Sequence, residues 1–290
     1  MEQAPINFKQ KRDFGEIFNA TFSFIGQEFK PLGKAVLFYA LPFLIVAAIL
    51  SVFISIEQQK MTTAMQSASQ QGMSDTLSYM GGVYKYMFLN ILVFVFGITA
   101  LRCTILGYIK LYIVKGKDQF TSEDIWNELK RSFLPVLGIS ILVSILQIIG
   151  TILCLVPGVI LAVSLILIYA AYFFEDLGFG DAFNRSFKLT GQKWWLTFGL
   201  IIVLWILIYL IILLLSIPAI LLGFKSLFGA LKQEPQMLEF STAFYIVNSI
   251  TSLITYVLFS IPSIAMAFHY FSLVEMKERP SLQSKIDQIG

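Results

Sequence analysis

Histidine, cysteine and charge are what this chain has least of, and each shortage removes a class of function. It holds one histidine, His269, and two cysteines, Cys103 and Cys154. With no CxxC spacing and no histidine cluster, the cysteines read as small packing residues rather than as a disulfide or a ligand pair, and no metal site is expected. No Ser-His-Asp set can be assembled from His269 and a nearby acid, no HExxH occurs, and no glycine-rich phosphate loop is present, so neither an enzyme nor a cofactor is expected. His269, between Phe268 and Tyr270, reads as an interfacial histidine among aromatics. Charged residues make up 13% of the chain, about half the roughly 25% of an ordinary globular protein. The net charge of +3 is small and scattered, which argues against nucleic acid as a partner.

Apolar residues fill the space. They make up 57% of the chain and aromatics 15%, with a mean hydropathy of +0.77. Charges are confined to short intervals, and between them lie runs at or above the ~20 residues a helix needs to cross hydrocarbon. Six spans follow: Ala35 to Ile56, Tyr84 to Val114, Phe133 to Leu155, Gly158 to Phe174, Trp194 to Phe224 and Phe240 to Val274. Breaks or kinks are expected at Pro42, Gly81-Gly82, Pro218 and Pro262, and a hairpin turn at Val156-Pro157-Gly158. The interval from Lys225 to Glu239 has room for a partial re-entrant segment. Residues 1 to 30 carry no central apolar stretch, so no cleavable signal is expected and the first span inserts itself.

The organising stretch is GFGDAFNRSFKLTGQKWWLTFGL, Gly178 to Leu200. Phe179, Phe183 and Phe187 recur at helical spacing, while Asp181, Arg185 and Lys188 fall on polar faces. Trp194 and Trp195 mark entry into the bilayer, because indole rings favour the headgroup level. Such a helix either lies in the membrane plane or packs against its own protein. Sliding the chain by 165 positions sets Phe14 to Gln27 over Phe179 to Gln192, with identities at Phe14, Gly15, Phe18, Asn19, Phe22, Gly26 and Gln27. A fainter copy starts at Thr121, where Asp124, Ile125, Trp126 and Asn127 sit as Glu16, Ile17, Phe18 and Asn19 do. Asp13 before Glu16, and Thr121 before Asp124, have capping-box spacing.

The expected fold is therefore all-α: one membrane domain over 1–290, six transmembrane helices in three two-span repeats. The repeat units are about 1–114, 115–175 and 176–275, with a polar tail over 276–290. Each opens with an amphipathic in-plane helix on the cytoplasmic side, and the interfacial faces are Phe14, Phe18, Phe22, Phe179, Phe183, Phe187, Trp194 and Trp195. With both termini inside, the outer intervals hold only Lys60, Lys85, Lys225 and Lys232. The inner ones hold Lys9, Lys11, Arg12, Lys30 and Lys34, then Lys115, Lys117, Lys130 and Arg131, then Arg185, Lys188 and Lys193, then Lys277, Arg279 and Lys285. That asymmetry sets the orientation.

Arg102, inside span two, stands out. A guanidinium near the bilayer centre is penalised by at least ~2.5 kcal/mol, so it needs a partner or an exit. Two readings follow. Arg102 and Lys110 line an inner-facing pocket able to hold a lipid phosphate, or Arg102 pairs with the acids Glu175, Asp176 and Glu275. Asn90, Gln147 and Asn248 are too dispersed for an ion pathway.

The run from Val156 to Leu200 resembles the multi-pass membrane domain that precedes some bacterial glycerophosphodiester phosphodiesterases and that also occurs in stand-alone bacterial inner-membrane proteins without assigned activity. The resemblance rests on the Pro-Gly turn, the acids closing span four, the Asp-Ala-Phe-x-Arg-Ser-Phe helix and the Trp-led fifth span. It implies the six-span architecture and a bacterial inner-membrane location; no phosphodiesterase activity is expected, since nothing in this sequence could make that domain's acid- and histidine-rich site. The function expected is a non-enzymatic interaction or lipid-organising module, with membrane lipids and a membrane or cytoplasmic protein as candidate partners. The alternative is a transporter or flippase of a lipid-like substrate, which requires a polar or lipid-sized path.

Overall fold

The computed structural model describes residues 4–66, 70–191, 193–231 and 242–278. No strand occurs among them. The elements are α1 (Phe14–Gln27), α2 (Phe29–Tyr39), α3 (Leu41–Gln66), α4 (Gln70–Lys115), α5 (Ser122–Leu153), α6 (Leu155–Leu165), α7 (Ile168–Glu175), α8 (Phe179–Gly191), α9 (Trp194–Leu231), α10 (Thr242–Leu258) and α11 (Ser260–Glu278). Six stretches are long and apolar enough to cross a membrane: Leu41–Met65, Met73–Lys115, Ser122–Leu153, Leu155–Glu175, Trp194–Phe224 and Ala243–Glu278. Their exposed surface agrees. Ile141, Leu142, Ile145, Ile148, Ile149 and Ile152 all lie open along α5, an apolar area that a water-soluble chain would cover. This is a multi-pass membrane protein.

Several boundaries differ from the sequence reading. The first span starts at Leu41, because the break falls at Ala40 and puts Pro42 in the first turn of α3, where its missing N–H loses no helical bond. Gly81 and Gly82 lie inside α4, so no break occurs there. The helix expected over Thr121 to Arg131 is not separate either, since it runs straight into span three as the start of α5. Pro218 sits within a continuous α9. The kink expected at Pro262 falls at Phe259, leaving that proline in the first turn of α11. Most of the tail and residues 232–241 of the five-to-six interval lie outside the described residues.

The α5–α6 hairpin turns at the extended Cys154, not at Pro157. Pro157 occupies the first turn of α6, and Gly158 has a packing role: a Cβ there would lie 3.0 Å from Thr151 Cα. A Cβ at Gly150, on the α5 arm of the hairpin, would meet Gly158 Cα at 3.2 Å. Two glycines thus let the helix backbones touch.

The chain packs as two compact units, each discontinuous in sequence. One comprises residues 1–40, 99–206 and 259–290, the other 41–98 and 207–258. In the first, α11 is buried along Ile264–Leu273 and forms the core, with α1, α7 and α8 packed on it. A helix covered on all sides this way can carry polar residues only if they are bonded. In the second unit α3 packs on α10. Asn90 donates to the Ala47 carbonyl at 2.6 Å and Ser249 to that of Ala48 at 3.1 Å.

Candidate functional site

The first unit gathers its charges at the helix ends near Lys110, Glu175 and Glu278. Local chemistry positions them. Asp13 and Thr121 both close capping boxes, with Glu16 and Asp124 respectively, fixing where α1 and α5 begin. α6 and α7 are separated at Ile166-Leu167, which frees the Ser164 carbonyl from its helical partner. Ser186 of α8 takes that carbonyl at 2.6 Å. The small residues of α8 therefore face inward: Ala182, Ser186, Leu189 and Thr190 are buried. In α1 the buried residues are Ile17, Thr21 and Phe24.

The aromatic rows sit on the flanks. Phe14, Phe18, Phe179, Phe183, Phe187 and Trp194 are half-buried, and Phe22 and Trp195 are exposed. Phe14 and Phe18 touch, with ring centroids 5.2 Å apart, and Phe183 touches Phe179 at 6.0 Å and Phe187 at 4.9 Å.

Two ion networks meet at the end of α7. Arg185 donates to Glu175 Oε1 at 2.7 Å and to Glu278 Oε2 at 2.9 Å, while the Tyr270 hydroxyl donates to the same Glu175 oxygen. These bonds, to Glu278 first and then Glu175, hold the guanidinium charged above its ordinary pKa against the opposing effect of burial. Lys110 contacts Asp176 at 2.6 Å and Glu128 at 3.2 Å, and Arg131 reaches Asp176 at 2.9 Å. Burial raises the Asp176 carboxyl, but the bonds and charges of Lys110 and Arg131 outweigh it and hold it below the usual carboxylate range. Arg12 is buried: its backbone exchanges hydrogen bonds with Ser272 at 3.0 and 2.8 Å, and its guanidinium lies over Phe268. Burial lowers its pKa, with Glu16 opposing.

Beside these lies a cavity of about 410 Å³ lined by Lys34, Phe38, Tyr39, Tyr108, Asp118 and Phe120, among others. Tyr108 donates at 2.5 Å to Glu28, a carboxylate only 1% exposed whose other oxygen accepts no hydrogen bond among the described residues and faces Lys117 at 3.7 Å. At that distance the lysine contributes charge rather than a bond.

The structure separates the two cations singled out from sequence. Lys110 is engaged by two carboxylates. Arg102 has none among the described residues: its guanidinium lies 3.8 Å above the centre of the Tyr169 ring, and its Nη1 donates to Ser140 Oγ at 3.2 Å. Tyr169 donates to the same oxygen at 3.3 Å. The acids considered as partners go elsewhere, Glu175 to Arg185 and Asp176 to Lys110 and Arg131. Arg102 is half-buried, and among the described residues Ser140 is its one hydrogen-bond acceptor. Four of its five N–H groups have no acceptor among the described residues.

His269 lies in α11. It is fully buried, with Nε2 2.8 Å from Thr197 Oγ1. That hydroxyl donates to the Lys193 carbonyl at 3.2 Å, and Nδ1 has no partner among the described residues. No group of three His, Cys, Asp or Glu that could hold a metal occurs among the described residues.

Sequence reasoning missed Tyr169, Ser140 and the pairing of Arg185. The last had a signal, since Arg185 stands where the first copy of the motif has Ala20.

No curated protein and no solved structure matches the chain. Residues 20–273 match a family described as a domain of unknown function, DUF7847; the chain belongs to that family.

Proposed function

We propose that this protein is a non-enzymatic, lipid-organising module of a bacterial inner membrane, with both termini cytoplasmic, and that Arg102 holds the phosphate group of an anionic phospholipid. One observation carries the reading. An in-span guanidinium is held flat by Tyr169 and Ser140, has no carboxylate among the described residues, and is half-open to its surroundings. Ionisable groups inside spans are retained where they have work to do, and a guanidinium matches the geometry of a phosphate. Lys110, tied to Asp176 and Glu128, is left to the helix-end network. Arg102 lies about 12 Å along α4 from it at ~1.5 Å per residue.

The three-repeat reading belongs to this proposal. Ile17, Thr21 and Phe24 are buried in α1, and Ala182, Ser186 and Leu189 at the matching positions of α8. Each inner helix packs on the returning helix of the unit before it: α8 on α7, the start of α5 on α4 through Lys110–Glu128 and Lys115–Asp124, and α1 on α11, which closes the cycle. The half-exposed aromatic rows of α1 and α8 then face the headgroup layer. The resemblance of Val156 to Leu200 to phosphodiesterase membrane domains fits the same picture.

The test is native mass spectrometry of the protein released from lipid nanodiscs. Wild type retains phosphatidylglycerol at fixed stoichiometry, and Arg102→Ala loses it with little change in thermal stability. Equal retention by the variant would overturn the assignment.

A further inference from the structure

Beyond Ser140, α5 carries Ser144, Gln147 and Thr151. Steps of four, three and four residues keep all four within one narrow arc of the helix. The file is about 16 Å long at ~1.5 Å per residue. At one end Ser140 accepts the hydrogen bond from Arg102. One turn further the α5 surface has a shallow, open depression lined by Ser144, Gln147, Ile148, Thr151 and Ile152, all on that one helix. At the other end α5 breaks at Cys154.

The neighbouring faces of α5 show what surrounds the file. Ile141, Ile145 and Ile149 are 48%, 47% and 50% exposed, the signature of contact with acyl chains. Ser144 and Thr151 donate to the carbonyls of Ser140 and Gln147 at 2.7 and 2.8 Å, a habit that lets hydroxyls sit in lipid. Back-bonding accounts for those two residues but not for Gln147, whose carboxamide has no partner among the described residues. A half-exposed carboxamide without partners is penalised in hydrocarbon. It is stable there only where water or a polar headgroup reaches it.

We infer that this file is a hydrated groove along which the phosphate-bearing headgroup of a phospholipid, entering from the leaflet at the Cys154 end of α5, reaches Arg102. The acyl chains stay against the isoleucines. The inference rests on the reading of Arg102 as a phosphate ligand and adds the route and the side of entry. Ser144, Gln147 and Thr151 offer donors and acceptors in succession, so the headgroup exchanges water for protein contacts without crossing bare hydrocarbon.

The experiment uses the full chain in phosphatidylcholine vesicles with Cys154→Ser as background; Cys103 is buried and stays. Single substitutions Ser144→Cys, Gln147→Cys and Thr151→Cys are compared with Ile141→Cys and Ile145→Cys. The reagent is a charged, membrane-impermeant methanethiosulfonate. The groove positions are expected to react at least roughly tenfold faster than the isoleucine positions, because a charged reagent is excluded from hydrocarbon by at least that factor. Equal, slow modification of both sets would overturn the groove. Adding phosphatidylglycerol to the vesicles is expected to slow modification of Ser144→Cys, and the slowing should vanish when Arg102→Ala is added. If the reactivity contrast persists but phosphatidylglycerol protects equally with Arg102→Ala, Arg102 is not the end of the route. Protection by inorganic phosphate in the buffer instead would replace the lipid by a soluble anion.

Discussion

Arg185 and Arg102 are the same side chain in opposite circumstances. Arg185, on α8, is clasped by Glu175 and Glu278 and shares the Glu175 oxygen with Tyr270. Arg102, inside a span, touches an aromatic face and one hydroxyl. Ion pairing in the first case uses up the donors and fixes three helices to one another. In the second the ring and the hydroxyl orient the guanidinium without neutralising it. A charge that is paired is a structural part; a charge that is oriented but unpaired is a binding group in waiting.

The comparison is broken most directly through stability. Arg185→Ala leaves two carboxylates without their cation. Losing one partner of a buried pair is worth ~3–5 kcal/mol, and with Arg185 only 15% exposed but its acids more open, a loss of about 2–3 kcal/mol is expected. Thermal unfolding in detergent measures it, and Arg185→Lys should recover part. Arg102→Ala is expected to shift stability by less than about 1 kcal/mol, near the average ~0.6 kcal/mol of an interhelical polar contact. A drop as large as that of Arg185→Ala would make Arg102 a structural residue too.

Acid sharpens the contrast. Asp176 is held below its ordinary pKa of ~3.9 by Lys110 and Arg131 against burial. Because the folded value is depressed, its contribution is complete above about pH 4 and is lost as pH falls through the folded pKa. Its side chain is 54% exposed, so the effect stays under about 1 kcal/mol. Asp176→Asn should flatten that part of the melting-temperature profile below about pH 4, while Arg102→Ala should leave it as in wild type. The smallest effect is expected for Tyr169→Phe. It keeps the ring under Arg102 and removes only the hydroxyl bonded to Ser140, so lipid retention should weaken roughly two- to threefold, the equivalent of ~0.6 kcal/mol, read by titrating phosphatidylglycerol into nanodiscs.

Much of this was legible in one dimension. The capping boxes at Asp13 and Thr121 closed as spaced, because a cap is made within four residues of chain. Proline and glycine were less dependable guides. Pro218 stays inside α9, and Gly81-Gly82 inside α4, because a long apolar helix held by its neighbours tolerates one missing bond or two flexible residues. The polar file on α5 was present in the sequence as four residues at helical spacing. Gln147 looked isolated because serine and threonine are so often silent in apolar helices.

By itself, the sequence determined the fold class, the number of apolar helices and the rare residues worth watching, Arg102 among them. These follow from composition and local spacing, which act over a few turns of chain. Only the tertiary structure decided which acid met which base. Arg102, Lys110, Arg185, Glu175 and Asp176 are close enough in type that any pairing was chemically reasonable. The choice was made by distances between helices far apart in sequence: Ser140 and Tyr169 reach Arg102, and Asp176 reaches Lys110. Pairing depends on the last few ångströms of packing, which residue spacing along one helix does not encode.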